Sequence, residues 1–316
     1  MTEILLVMGY PASGKSTWAR EHVGERGVLL DRDGERASLS DLSPGVARGV
    51  ASGASRIVLA NGYPTVASRR PVLEVARAHA LAVRCVQIDT SIEQARVNAA
   101  ERILARYGRL LGPDEIREVG ARDYSVFSPA ALLRYRRLLE APTVAEGFRT
   151  VETARFERRA RVGGSGKALL LDYDGTLRRT RSGAKYPTSP DDVEVLPRRR
   201  EVLARYRRAG WRLLGVSNQG DVARGRLDAQ DAIDCFDRTN ALLEVEIEVA
   251  FCPHEPAPIR CYCRKPMPGL GVAFLLKHRL DPAHTVMVGD LATDRSFADG
   301  LGIRYADAEA FFGPSA

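Results

Sequence analysis

The sequence predicts two α/β domains in tandem, each built on a parallel sheet. Two series of short apolar runs alternate with helical periodicity, and a basic, glycine-ended stretch lies between them. Strand–helix alternation of this kind marks a parallel sheet covered on both faces. In the first series Ile4–Met8, Gly27–Leu30, Arg56–Leu59 and Ala82–Ile88 read as strands. Lys15–Val23, Val66–Ala80 and Ser91–Tyr107 read as helices. The second series runs through Lys167–Leu171, Trp211–Val216, Glu246–Phe251 and Thr285–Val288. Between the two, Arg155–Gly166 is rich in Arg and closes on Gly163-Gly-Ser-Gly166, a linker composition. The expected division is a first domain over 1–157, a linker over 158–166 and a second domain over 167–316.

At 316 residues, 45% hydrophobic and 28% charged, the chain can supply two cores of ordinary size. No apolar stretch is long enough for a bilayer. Ile4–Met8 leads into a glycine loop without a cleavage site for a signal peptide, so the cytoplasm is the expected location and no membrane partner is expected. Five cysteines are an odd number, and Cys252, Cys261 and Cys263 crowd into twelve positions. That argues for metal binding plus buried thiols (Cys85 in a strand, Cys235 in a helix) over a disulfide framework. The net charge of +7 would suit a polyanion, but of the 47 basic residues only five are Lys, and a bias toward Arg accounts for the charge as well. Against that background a Lys marks a place where a compact point charge is wanted. Lys15 and Lys265 both fall inside the motifs below. The run Arg198–Arg200 reads as a solvated helix face.

Gly9-Tyr-Pro-Ala-Ser13-Gly14-Lys15-Ser16-Thr17 fits G-x-x-x-x-G-K-[ST] between a strand and a helix. Its glycines let backbone N–H groups turn inward on a phosphate at the positive end of the helix. Lys15 reaches the outer phosphates and the Ser16 hydroxyl ligates Mg²⁺, so ATP is the expected cofactor. Asp33, just past the end of the next strand, suits a general base as well as it suits a helix N-cap.

Further on, Asp172-Tyr-Asp174-Gly175-Thr176 ends a strand and places two carboxylates two residues apart. This D-x-D-G-T pattern resembles the signature of the haloacid dehalogenase (HAD) phosphatases, and the resemblance implies that Asp172 attacks phosphorus while Asp174 protonates the leaving oxygen. One carboxylate cannot be both nucleophile and proton donor, hence the pair. Ser217-Asn218-Gln219, Lys265-Pro266 and Gly289-Asp290 with Asp294 follow in order, and together they resemble the HAD phosphatases. By that resemblance Ser217 donates to phosphoryl oxygens, Thr176 and Asn218 help hold substrate, and Lys265 neutralises charge. Asp172, the Asp174 carbonyl, Asp290 and Asp294 bind Mg²⁺. Cys252, His254, Cys261 and Cys263 close a short loop with the S₃N ligand set of structural zinc. This loop resembles the histidinol-phosphate and heptose-bisphosphate phosphatases.

The first half resembles the kinase domain of polynucleotide kinase/phosphatase, in the Gly-x-Pro-x-x-Gly-Lys-Ser-Thr loop, Arg32-Asp33, Ile92–Arg96 and Tyr135–Phe148. Thr180–Thr188 resembles the phosphatase half of the same family. The resemblance implies a P-loop NTPase-type parallel sheet followed by a HAD-type Rossmann-like sheet with a minimal cap. It makes Asp33 the general base for a 5′-hydroxyl, gives Arg36 the substrate phosphate, and gives Arg102 or Arg106 the ATP phosphates as a lid arginine. Ala60 stands where the family carries an Asp. The function so implied is a bifunctional enzyme that phosphorylates 5′-hydroxyl ends of nucleic acid from an NTP donor and removes 3′-phosphates. Two rivals remain: a small-molecule kinase/phosphatase acting on sugar or histidinol phosphates, and a phosphatase whose P-loop half only binds nucleotide. DNA or RNA, and the oligomeric state, stay open at this stage.

Overall fold

The computed structural model describes residues 2–31, 42–156 and 164–313. They divide into two compact units, Met1–Ala99 with Glu118–Arg158, and Ala100–Arg117 with Arg159–Ala316. The first half of the chain runs β1 (Glu3–Met8), α1 (Lys15–His22), β2 (Gly27–Asp31), α2 (Leu42–Ala51), β3 (Arg56–Ala60), α3 (Val66–Ala78) and β4 (Ala82–Asp89). After these come α4 (Ile92–Tyr107), α5 (Pro113–Gly120), α6 (Pro129–Leu138) and β5 (Thr150–Arg155). Its five strands are parallel, in the order β2-β3-β1-β4-β5. The central strand shows why a continuous apolar run is needed there. Ile4, Leu6 and Met8 enter one core, and Leu5 and Val7 enter another on the opposite face.

The second half begins with β6 (Gly166–Leu171), followed by a two-stranded antiparallel hairpin of β7 (Arg178–Thr180) and β8 (Val193–Val195). Next are α7 (Arg199–Arg208), β9 (Arg212–Asn218), α8 (Gly220–Ala223), α9 (Ala229–Leu243) and β10 (Glu248–Cys252). The chain closes with α10 (Gly269–Lys277), β11 (Leu280–Gly289), α11 (Ala292–Leu301), β12 (Arg304–Asp307) and α12 (Ala308–Phe312). Its main sheet is again parallel, in the order β10-β9-β6-β11-β12. The expected class, two parallel α/β sheets in tandem, is the one observed. Among the described residues no helix is long and apolar enough to cross a membrane.

One expectation needs correcting. Within Arg198–Arg200 only the outer two residues are exposed. Arg199 is buried: its Nε donates to the Thr176 carbonyl at 3.0 Å, and its guanidinium lies 4.8 Å from the Phe312 ring centre. A planar cation can satisfy its donors on backbone and rest on an aromatic face, so burial does not strand its charge.

The first unit holds a second buried arginine. Arg69 on α3 makes a two-pronged pair with Glu146 at 2.8 Å on each prong, and Nη1 donates to the carbonyls of Tyr63 and Glu140. Both side chains are almost wholly out of solvent. Replacing Arg69 by Met leaves a buried carboxylate and two carbonyls without donors, which should cost about 3–5 kcal/mol. Chemical denaturation of the Arg69→Met variant measures it, and a loss below about 1 kcal/mol would show that the pair is not needed.

Candidate active sites

The loop between β1 and α1 curls because three residues take left-handed backbone: Gly9 at φ 149°, Ala12 at 59° and Gly14 at 91°. A methyl group on Gly9 would sit 2.9 Å from Ser13 Oγ, and one on Gly14 would sit 2.7 Å from the Phe156 ring. Both glycines are therefore required by space as well as by dihedral angle. Ser13 is buried, and Lys15 folds its ammonium over the loop onto the carbonyls of Gly9 at 3.1 Å and Tyr10 at 2.5 Å. Ser16 and Thr17 occupy the first turn of α1, where unpaired N–H groups and the helix dipole favour an anion.

Sequence reasoning missed two residues that hold this loop from outside. Thr90 Oγ1 donates to the Ser13 carbonyl at 2.9 Å, and Asn98 Nδ2 donates to the Ala12 carbonyl at 2.8 Å. Neither carries a motif, because each acts on backbone from a distant element. Ala60 ends β3, where its backbone pairs with Val7 of β1 and Asp31 of β2. The residue after it, Asn61, spends its side-chain oxygen on the Gly62 N–H at 2.7 Å. Arg102 and Arg106 fall on the last turns of α4, in the segment Ala100–Arg117 that clusters with the second unit. Asp33 and Arg36 lie outside the described residues.

In the second unit, topology brings the remaining motifs together. Asp172 follows β6, Ser217 and Asn218 end β9, and Asp290 follows β11. Because β6 lies between β9 and β11 and all three are parallel, their carboxyl ends meet at one edge. Lys265 Nζ stands 2.6 Å from Asp172 Oδ1 and 2.7 Å from Asp294 Oδ1, with all three side chains buried. Burial alone would pull the Lys265 ammonium down, but the charges of Asp172 and Asp294 outweigh it and hold its pKa above the usual value. Burial also pushes the Asp172 carboxyl up to about 7, against the pull of Lys265.

Glycines again make room. A methyl on Gly175 would lie 2.4 Å from Asp290 Oδ2, and one on Gly289 would lie 2.4 Å from Asp294 Oδ2. Thr176 Oγ1 donates to Asp290 Oδ1 at 3.1 Å. Asn218 grips Lys265 through its backbone, accepting from its N–H at 2.9 Å and donating to its carbonyl at 3.1 Å.

Carboxylate oxygens of Asp172, Asp290 and Asp294 all lie within 4.8 Å of one another. An octahedral shell with Mg–O of about 2.1 Å has opposite oxygens about 4.2 Å apart, so the three could close on one cation with shifts of a few tenths of an ångström. The buried Asp294 Oδ1 faces only the Lys265 ammonium, which it shares with Asp172. The Asp174 side chain stands apart from this group. Its Oδ1 accepts from Arg178 Nε at 2.7 Å and its Oδ2 from Gln219 Nε2 at 3.1 Å. The same Gln219 amide donates to Ser217 Oγ at 2.9 Å, which leaves the Ser217 hydroxyl proton to point elsewhere. Asp172, Asp174, Ser217, Asn218 and Lys265 line a cleft of about 290 Å³ whose walls also include Tyr186, Ile259 and Leu291. Arg178 gave no signal in a chain where Arg is the default cation, and Gln219 was visible only as the third residue of a motif.

Four ligand atoms of Cys252, His254, Cys261 and Cys263 also gather within 4.8 Å. Cys252 Sγ is 3.7 Å from Cys261 Sγ and 3.3 Å from Cys263 Sγ, and His254 Nδ1 is 3.1 Å from Cys263 Sγ. A tetrahedron of sulfurs about 2.3 Å from zinc has edges of about 3.7 Å, close to this spacing. Hydrogen bonds inside the cluster push the Cys261 thiol far down and the Cys263 thiol far up. A shared cation would relieve that opposition by taking all three as thiolates.

Comparison with known proteins gives a match for each half of the chain. Residues 4–116 match a family model described as "AAA domain", and residues 167–312 match one described as "Polynucleotide kinase 3 phosphatase". Together the two matches support a bifunctional polynucleotide kinase/phosphatase. The chain is an enzyme with a kinase and a phosphatase domain, a transferase and a hydrolase in one polypeptide. Its phosphatase half is also similar to the Thermoplasma volcanium protein named "Probable D-glycero-D-manno-heptose-1,7-bisphosphate 7-phosphatase". That likeness is 31% identity over 39% of this chain and 85% of the relative. The D-glycero-beta-D-manno-heptose-1,7-bisphosphate 7-phosphatase of Bordetella bronchiseptica is 30% identical over 43% of this chain and 76% of its own length. Among solved structures, a chain of the Pnkp1/Rnl/Hen1 RNA repair complex aligns over 97% of this chain and 95% of its own, at 14% identity and a TM-score of 0.31.

Because a protonated Asp172 cannot ligate a cation, Mg²⁺ affinity of the metal-free protein should fall as pH drops below about 7. Calorimetric titration at pH 8 and pH 6 should differ about tenfold, with about one proton released per ion bound at pH 6 and almost none at pH 8. Equal affinities would show that Asp172 is already ionised at pH 6, and an unchanged affinity in Asp172→Asn would remove it from the metal site.

Proposed function

We propose that this enzyme heals nucleic-acid breaks, phosphorylating 5′-hydroxyl ends with its first domain and clearing 3′-phosphates with its second. One observation carries the reading: a phosphate loop over Gly9–Thr17 shares a chain with a phosphatase segment that matches the model described as "Polynucleotide kinase 3 phosphatase". The two reactions prepare opposite sides of the same break.

In the kinase domain the loop's N–H groups and Lys15 hold ATP phosphates, Ser16 offers its hydroxyl to Mg²⁺, and Asp33 takes the proton of the incoming hydroxyl. Arg36 holds the substrate phosphate, and Arg102 or Arg106 closes on the nucleotide. In the phosphatase domain Asp172 attacks phosphorus while Asp174 hands a proton to the departing oxygen. Water then attacks the aspartyl-phosphate on Asp172 with Asp174 as base. Ser217 and the backbone beside Thr176 and Asn218 orient the phosphoryl oxygens, and Lys265 balances their charge. Mg²⁺, held by Asp172, Asp290, Asp294 and the Asp174 carbonyl, would supply further charge neutralisation. Zinc on Cys252, His254, Cys261 and Cys263 has a structural part only, since four protein ligands leave no open position.

The similarity to heptose-bisphosphate phosphatases favours a second reading, in which the phosphatase half acts on a small sugar phosphate. A panel containing a 3′-phosphorylated oligonucleotide, heptose bisphosphate and histidinol phosphate separates the two. Preference for either small molecule would replace the nucleic-acid reading.

Two sites imply separable losses. Lys15→Ala should abolish labelling of 5′-hydroxyl ends and spare the phosphatase, while Asp172→Asn does the reverse, each by at least about 10³-fold. Loss of both activities in either folded variant refutes independent sites. Elemental analysis should find one zinc per chain, and Cys261→Ser should lose it and unfold at lower temperature.

A further inference from the structure

We infer that Arg178 is a positioning residue that decides which oxygen of Asp174 carries the transferable proton. The inference rests on the reading of Asp174 as the proton donor. Arg178 is 1% exposed, its Nε lies 2.7 Å from Asp174 Oδ1, and nothing in the motif predicts it. Its position is fixed from three sides. Nη1 donates to Thr239 Oγ1 at 3.1 Å, and that hydroxyl donates to the Cys235 carbonyl at 2.7 Å, so Thr239 is committed as an acceptor toward Arg178. The guanidinium also lies over the rings of Tyr173 at 5.3 Å and Phe236 at 4.9 Å. Backbone ties the two residues as well, since the Gly175 N–H donates to the Arg178 carbonyl at 2.9 Å.

A guanidinium has donors only. Both oxygens of Asp174 face donors, but the charged guanidinium is closer to Oδ1, at 2.7 Å, than the neutral Gln219 amide is to Oδ2, at 3.1 Å, and a charge-assisted hydrogen bond is the stronger. A protonated Asp174 therefore keeps Oδ1 as its carbonyl oxygen and carries hydrogen on Oδ2. Oδ2 is the oxygen on the side of Gln219, which in turn touches Ser217 in the cleft. In the first step the Asp172–phosphorus bond forms and the ester P–O bond breaks, and the proton passes from Oδ2 to the departing oxygen. In the second step water bonds to phosphorus, the Asp172–phosphorus bond breaks, and the water proton returns to Oδ2. Without Arg178 the acid can rotate or place its proton on the wrong oxygen, and both steps lose alignment while substrate binding does not.

The test compares leaving groups. An alkyl phosphate needs protonation to depart, whereas p-nitrophenyl phosphate leaves as a stable anion. The alkyl ester used is the one the wild type hydrolyses, a 3′-phosphorylated oligonucleotide or, failing that, heptose bisphosphate. In Arg178→Met the pre-steady-state rate of leaving-group release should fall about 10–100-fold for the alkyl ester and stay within about threefold for the aryl ester, with KM unchanged. Asp174→Asn serves as the reference and should show the same dependence with a larger loss. Equal losses on both esters, or no loss, in a folded Arg178→Met protein overturn the inference while leaving Asp174 its role. No leaving-group dependence in Asp174→Asn overturns the proton-donor reading itself. If Arg178→Met does not fold, Thr239→Val decides: it removes one hydrogen bond to Arg178, should give a smaller loss with the same leaving-group dependence, and refutes the inference if both esters respond alike.

Discussion

Taking an ammonium and two carboxylates out of water costs each of them its hydration, and Lys265, Asp172 and Asp294 offset much of that cost by facing one another at 2.6 and 2.7 Å. Much of the phosphatase half follows from keeping these three in place. Gly289 has no side chain because Asp294 fills the space where one would be. Asn218 has both ends of its amide on the Lys265 backbone, so β9 fixes the height of the ammonium. The cysteine loop ends two residues before Lys265 and so determines the direction from which that lysine arrives. Three charges also leave an odd balance: one cation against two anions, with Asp290 close by. Such a surplus of negative oxygen invites a divalent cation and then a phosphate.

The loop proposed to hold phosphate in the first half is built differently. There the available donors are backbone N–H groups at the start of α1, and the constraint is conformational: Gly9 and Gly14 adopt dihedral angles and close contacts that side chains refuse. Both halves nevertheless put their chemistry beyond the carboxyl ends of parallel strands, where helix N-termini and loops converge.

How much of this was legible depended on whether a residue's environment is local. Central stretches such as Ile4–Met8 and Ala168–Leu171 are apolar throughout because both faces are covered. The edge strand Thr150–Arg155 has polar residues half in solvent, and its sequence carries no alternation that would announce it. The short strands of the β7–β8 hairpin are equally silent. Asp172, Asp174, Lys265 and the four cysteine-loop ligands stood out because their chemistry fixes residue type and spacing. Thr90, Asn98 and Arg178 did not, since each acts through a contact made only after folding. Arg199 misled for the same reason: an arginine in a basic run looks solvated until Thr176 and Phe312 are brought to it.

Everything in the second domain that faces phosphorus is mounted on the ends of β6, β9 and β11 or anchored to them. Other walls of the cleft, by contrast, come from Tyr186 in the β7–β8 connection, Ile259 in the cysteine loop and Leu291 after β11. Surface loops can grow at small entropic cost, about 0.6 kcal/mol for each doubling of length. A lineage could therefore exchange one phosphate ester for another by rewriting these walls alone. The reaction itself would be inherited intact, which explains how sugar phosphatases and a kinase-linked phosphatase can share one half of a chain.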